Sequence, residues 1–125
     1  MKLRNRQIDE RSPTYFIADI GANHDGKIER AKKLIQMCAE AGADAVKFQH
    51  FKAENIVSDI GFKSLDDKYL SHQSKWTKSI FDVYREASID ISWDNELKAT
   101  CDQYDVGYMT TPYDQDMVDH INPFV

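Results

Sequence analysis

The chain has 125 residues, 42% hydrophobic and 30% charged, with 16 basic and 21 acidic side chains for a net charge of −5. That length fits one domain, and that balance is globular rather than disordered or fibrous. The acidic excess argues against a nucleic-acid binder, which needs a basic face to displace counterions from phosphates; an anionic small substrate held by a few local Lys or Arg stays open.

In chain order, residues 1–13 read as a polar lead-in ending at Pro13. The lead-in lacks the apolar block of a secretory signal, and no apolar run approaches the roughly 18 residues of a membrane-spanning helix. "TYFIADIG" (14–21) predicts a buried strand, short, aromatic and β-branched, stopped by glycine. Residues 27–42 predict a helix, with Ile28, Ala31, Leu34, Ile35, Cys38 and Ala41 on one stripe and Gly42 as its C-cap. "DAVKFQHF" (44–51) predicts a second strand, and 52–75 reads as a long, partly ordered loop. Helices are expected over 76–88 and over 92–105, the latter opened by a capping box at Ser92 and Asn95–Glu96. "VGYMTTP" (106–112) predicts a third strand, 114–121 a short helix, and "NPFV" the entry to a fourth strand. Cys38 and Cys101 stand far apart without metal-site spacing and read as free thiols of a reducing, cytoplasmic protein.

This alternation implies parallel strands joined by right-handed crossovers. Two architectures fit: a doubly wound open sheet, or part of a (β/α)8 barrel. A complete barrel takes about 250 residues, so the chain would be roughly its first half. In both, the carboxyl ends of the strands converge on one rim where ligands bind.

The chemistry-bearing residues fall at those ends. The first strand delivers Asp19, Asn23 and His24, the second Lys47 and Gln49, the third Thr110 and Thr111. Lys47 and Gln49 are two apart and point the same way from a pleated strand. A lysine in an apolar strand is costly to bury without a counter-charge. It could hold a phosphate or carboxylate, with the Thr111 hydroxyl as a neutral donor and Asp19 or Asp25 as acid, base or orienting group. The glycines at 21 and 26 would admit a ligand close to the backbone. The plainer alternative pairs Lys47 with Asp19 as a structural ion pair. His24 reads as a loop hydrogen-bonder rather than a metal ligand, and Asp25-Gly26 as a turn. Asp66-Asp67-Lys68 reads as solvated surface, and His72 and Gln73 could reach a substrate from the long loop.

The segments "FIADIGANHDGKIERAKKLI", "AGADAVKFQ", "KSIFDVYREASI" and "GYMTTPYDQDMVD" together resemble the amino-terminal part of the sialic acid synthase family. That family includes N-acetylneuraminate synthase and its legionaminic and pseudaminic acid relatives. The likeness runs from about residue 15 to the end of the chain, and "IGANHDG" followed by "AGADAVKFQ" is its specific part.

The resemblance implies a TIM-barrel transferase that condenses phosphoenolpyruvate with an N-acetylated aminosugar. Carbon 3 of the enol attacks the open-chain aldehyde, water adds at carbon 2, and phosphate leaves by C–O cleavage. A divalent metal, manganese or magnesium, polarises the aldehyde. It further implies that Lys47 and Gln49 line the phosphoenolpyruvate and sugar site, that Thr111 helps bind phosphate, and that Asp19 faces the reacting centre where the family more usually has glutamate. Gln73 is taken as the expected counterpart of the family's asparagine on the loop after the second strand. The family's metal-binding histidines, phosphate-site serines and antifreeze-like domain have no counterpart in residues 1–125, and its full-length members are homodimers. The expectation is therefore an amino-terminal portion of a synthase barrel, inactive in isolation. Another barrel using phosphoenolpyruvate or a phosphosugar, or a non-catalytic half-barrel binding module, are the competing expectations.

Overall fold

In the computed structural model, which describes residues 1–4, 6–65 and 76–125, the polar lead-in is more than a tail. Lys2–Leu3 (β1) pairs antiparallel with Arg6–Gln7 (β2). The Arg6 guanidinium forms an ion pair with Asp44 and donates to the carbonyls of Pro13 and Thr14. Asp44 also accepts from the Phe16 N–H at 2.7 Å. One carboxylate thus fastens the amino-terminal hairpin to the start of the sheet. Local composition hides this, because the partner lies 38 positions away.

The three complete strands expected from the apolar runs are present as Ile17–Gly21 (β3), Ala45–His50 (β4) and Gly107–Pro112 (β5). They form one parallel sheet in the order β3-β4-β5. β3 begins at Ile17 because the residues before it are engaged elsewhere: the Thr14 carbonyl accepts from Arg6, and the Tyr15 hydroxyl donates to the Asp44 carbonyl.

Ile28–Glu40 (α1) buries Ala31 and Ile35 against the sheet. Gly42, at φ +90°, takes the left-handed conformation that ends a helix. Two short helices, Ala53–Ile56 (α2) and Asp59–Lys63 (α3), stand where a loop was expected. α3 is held at its start by the Ser58 hydroxyl, which accepts from the Gly61 N–H. Ile80–Ala87 (α4) starts at Ser79, whose hydroxyl accepts from the Asp82 N–H.

The capping box expected at Ser92 does not form. Asp90 accepts from the Ser92 N–H at 2.9 Å, and residues Ile91–Trp93 tighten into a 3-10 turn that runs into Asp94–Gln103 (α5). Gln115–Ile121 (α6) is capped by Asp114, which accepts from the Met117 N–H at 2.8 Å. The expected fourth strand is also absent among the described residues. The chain turns at its end, the Phe124 N–H donating to the Ile121 carbonyl while its ring packs against the core.

The core lies between one face of the sheet and the helices. Ile20, Val46, Phe48 and Tyr108 from the strands meet Ala31 and Ile35 of α1 and Leu97 and Cys101 of α5. Strand side chains of the other parity, among them Asp19 and Lys47, stay partly exposed. The result is an α/β fold with a three-stranded parallel sheet. Cys38 and Cys101 are free thiols; burial pushes Cys101 up to about 12, which makes it a poor nucleophile. Among the described residues no helix is long and apolar enough to cross a membrane.

Candidate functional site

The parallel register sets Asp19 beside Lys47, and Gln49 beside Thr111. Aligned positions of adjacent strands share a face, and successive residues alternate. Asp19, Lys47, Gln49 and Thr111 therefore project from one face, while Val46, Phe48 and His50 point into the helix layer. The register slips between Asp19 and Gly21. That irregularity carries Gly21 over the polar row, where a Cβ would lie 3.6 Å from Gln49 Cδ and 3.7 Å from Asp19 Oδ1. Its φ of +56° is what calls for glycine there.

Lys47 Nζ lies 3.4 Å from Asp19 Oδ2, with the two side chains 35% and 54% exposed. The ion-pair alternative thus has its contact, yet a pair this solvated contributes about 0–1 kcal/mol. So small a stabilisation is readily outweighed by an incoming di- or trianion. The Thr111 hydroxyl has no protein partner among the described residues.

Asn23 sits apart from this row in its interactions. Its side-chain amide donates to the Ile20 carbonyl at 2.8 Å, and its own carbonyl accepts from Arg30 Nε, so it braces the loop. His24 is fully buried, with Nδ1 accepting from the Gly26 N–H at 3.1 Å and its ring edge-on to Trp93. It is the loop hydrogen-bonder that its isolation suggested. Asp25, at φ +51°, pairs with Arg30 at 3.1 Å and shapes the same turn. Gln73, His72 and the Asp66-Asp67-Lys68 run lie outside the described residues.

Behind the row is a buried polar cluster that sequence reasoning missed. Asp94 accepts from His50 Nε2 at 3.0 Å, from the Tyr108 hydroxyl at 2.5 Å and from His120 Nε2 at 2.8 Å. The other ring nitrogen of His50, Nδ1, is hydrogen-bonded to the Thr110 hydroxyl at 2.7 Å. Burial pushes the Asp94 carboxyl up, but hydrogen bonds from His50 and Tyr108, with the charge of His50 and the bond from His120, outweigh it and leave the group below its ordinary value. The cluster ties β4, β5, α5 and α6 together directly behind Gln49 and Thr111. One signal was available: His50 and Thr110 occupy core-facing positions, where a polar group needs a buried partner. Nothing local identified that partner as Asp94.

The divalent metal implied by the family resemblance meets no suitable donor set here. Among the described residues no group of three or more His, Cys, Asp or Glu could hold a metal ion. His50 and His120 spend Nε2 on Asp94, and His24 spends Nδ1 on a backbone N–H. The residues described do not fit the group, and no step below is routed through it.

Comparison with known proteins adds the family. Residues 34–125 match the NeuB family. An N,N'-diacetyllegionaminic acid synthase of Campylobacter jejuni is 34% identical over 109 residues, covering 87% of this chain and 32% of that protein. The spore coat polysaccharide biosynthesis protein SpsE of Bacillus subtilis is 33% identical, covering 94% of this chain and 30% of its own length. The crystal structure of SpsE superposes with a TM-score of 0.69 at 30% identity over 98% of this chain and 30% of that one. A sialic acid synthetase of Leptospira borgpetersenii, solved with citrate, gives 0.75 at 21% identity over 99% of this chain and 38% of that one, a likeness of fold. The chain spans about a third of the length of the relatives it matches.

Proposed function

This chain belongs to the NeuB family, and on that premise we propose that it supplies part of the phosphoenolpyruvate site of a synthase joining phosphoenolpyruvate to an N-acetylated aminosugar. We place it as the amino-terminal part of a (β/α)8 barrel. Sequential parallel strands with α1 and α5 on one face, and polar side chains on the other, support that placement over a doubly wound sheet, which carries helices on both faces.

The observation that carries the reading is the row of Asp19, Lys47, Gln49 and Thr111 at the carboxyl ends of adjacent strands. Lys47 supplies the positive charge for the phosphate or carboxylate of phosphoenolpyruvate, and Thr111 a neutral donor. Gln49 offers both a donor and an acceptor to the sugar. Carbon 3 of the enol attacks the aldehyde carbon, forming the new C–C bond. Water then adds at carbon 2, and the C–O bond to phosphate breaks. Asp19, beside Lys47, is placed to orient that water or take its proton.

Titrating the 125-residue chain with phosphoenolpyruvate, followed by two-dimensional amide NMR, tests this. Shifts are expected at Lys47, Gln49 and Thr111. Lys47→Ala should weaken binding at least about tenfold, the worth of one charge-assisted hydrogen bond. Undiminished affinity in that variant would reduce Lys47 to the partner of Asp19 and remove the basis of the proposal.

A further inference from the structure

The buried cluster behind the polar row touches both strands at the residues next to the ligand-facing pair. His50 follows Gln49 on β4, and Thr110 precedes Thr111 on β5. Gln49 stands opposite Thr111, whereas His50 stands opposite Pro112 and Thr110 opposite Phe48. The 2.7 Å contact between His50 Nδ1 and the Thr110 hydroxyl therefore runs diagonally behind the Gln49–Thr111 pair. The far side of the same ring is fixed on the Asp94 carboxylate at 3.0 and 3.2 Å. Asp94 is held in turn by Tyr108 of β5 and His120 of α6. A hydroxyl, an imidazole and a carboxylate in this order also describe a nucleophilic relay. Here His50 and Asp94 are 0% and 1% exposed, so no substrate reaches them. The arrangement holds rather than reacts.

Resting on the function proposed above, we infer that His50 is a positioning residue: through Thr110 it fixes Thr111 and Gln49 in the orientation that receives phosphoenolpyruvate. Gln49 and Thr111 each lie one residue before the end of their strand, where a ladder frays. Successive side chains of a strand project to opposite faces. A side chain anchored on one face therefore restrains the peptide that joins it to its neighbour on the other. Anchoring Thr110 in the core restrains Thr111 on the open face, and anchoring His50 restrains Gln49. The last ladder bond beyond this pair is a neutral one, from the Tyr113 N–H to the His50 carbonyl at 3.0 Å. Hydrogen bonds to a carboxylate are roughly twice as strong, so Asp94 makes the side-chain anchor the firmer of the two. A donor already held in place loses less freedom when its ligand arrives, and binding is tighter by what that ordering would have cost.

The test is the phosphoenolpyruvate titration by amide NMR, run on the 125-residue chain and four variants whose spectra show them folded. Thr110→Val keeps the branched shape and deletes the hydroxyl, while Thr110→Ser keeps the hydroxyl. His50→Phe keeps a ring and deletes both of its bonds. Ile35→Val, in the core on α1, lowers stability without touching the cluster. Thr110→Val and His50→Phe should weaken binding about threefold to tenfold, the worth of ordering one side chain on association. Thr110→Ser should bind within about twofold of the unmodified chain, and Ile35→Val should match it. Undiminished affinity in Thr110→Val or in a folded His50→Phe overturns the positioning role. So does an equal loss in Ile35→Val, which would make the effect one of stability, or a failure of Thr110→Ser to restore binding. If His50→Phe does not fold, the two Thr110 variants decide. In each of these cases the unmodified chain still binds phosphoenolpyruvate, and the proposed function stands. No response in the unmodified chain overturns the function and the positioning role with it.

Discussion

His24 is held neutral by its surroundings. It is fully buried, Nδ1 accepts a backbone N–H, and Nε2 has no hydrogen-bond partner among the described residues. Burial lowers its pKa from the ordinary 6.5; Asp25 pulls it up, and the charge of His50 pushes it further down. Between the ordinary value and the lower folded value, the unfolded chain binds more protons than the folded one. Stability is therefore full above about pH 6.5 and falls as pH drops below it. Urea titrations across pH 5–8 should show this slope in the unmodified chain and lose it in His24→Gln; a slope unchanged by the substitution would assign it elsewhere. Asp94 acts in a separate, more acidic window. Its folded pKa is depressed, so its contribution is complete above the ordinary carboxylate value and is lost as pH falls through the lower folded one. Asp94→Asn leaves two buried donors, His50 and Tyr108, and the half-buried His120 without their anionic acceptor and should cost roughly 2–4 kcal/mol by denaturant unfolding. The polar row and the buried cluster behind it differ in how far the sequence announces them. Lys47 and Gln49 were legible because strand periodicity is a local rule. The acceptor of His50 was not, since it lies 44 positions downstream on another element.

At the scale of elements, the start of α5 shows what a local pattern leaves undecided. Ser92 with Asn95–Glu96 spells a capping box, but the chain tightens into a 3-10 turn first and the capping role passes to Asp90. Its carboxyl is correspondingly held below its ordinary value, chiefly by the Ser92 N–H. Asp90→Ala should cost about 1 kcal/mol, whereas Ser92→Ala should stay within about 0.5 kcal/mol. Equal losses from the two substitutions, measured by thermal or urea unfolding, would return the cap to Ser92. β3 and β5 were legible because each is a short apolar run closed by glycine or proline, and β4 because apolar residues alternate with Lys47 and Gln49 at strand spacing. α2 and α3 were not, because four and five residues are too few to display a helical period. α2 stands in part on the burial of Ala53 and of Val57 just after it, whereas α3 buries none of its own residues. The hairpin of β1 and β2 escaped notice for a different reason, its anchor being the distant Asp44.

At the scale of the molecule, among the described residues β3 and β5 each pair only with β4, so each leaves an edge unpaired by them. The β3 side also exposes apolar surface: Phe16 is 62% and Ile17 48% exposed, beside a cavity of about 380 Å³ that includes Cys38 and Ala41. Parallel sheets are ordinarily buried on both faces, and unpaired edges recruit other strands. A net charge of −5 gives only modest repulsion between copies. The 125-residue chain should therefore self-associate as its concentration rises, and light scattering should report masses above the monomer. Three surfaces compete for that contact, the two edges and the open face bearing Asp19 and Lys47, and of the edges it is β3 that lies beside the exposed Phe16 and Ile17. Desolvating the charged pair is costly unless it is fully hydrogen-bonded, so the β3 edge is favoured. Phe16→Lys should then restore the monomer, while saturating phosphoenolpyruvate should leave the mass unchanged. A mass that falls with phosphoenolpyruvate and ignores Phe16→Lys would instead place the contact over the polar row. The affinity of the chain for that ligand would then depend on protein concentration, so the Lys47→Ala comparison has to be made well below the association range.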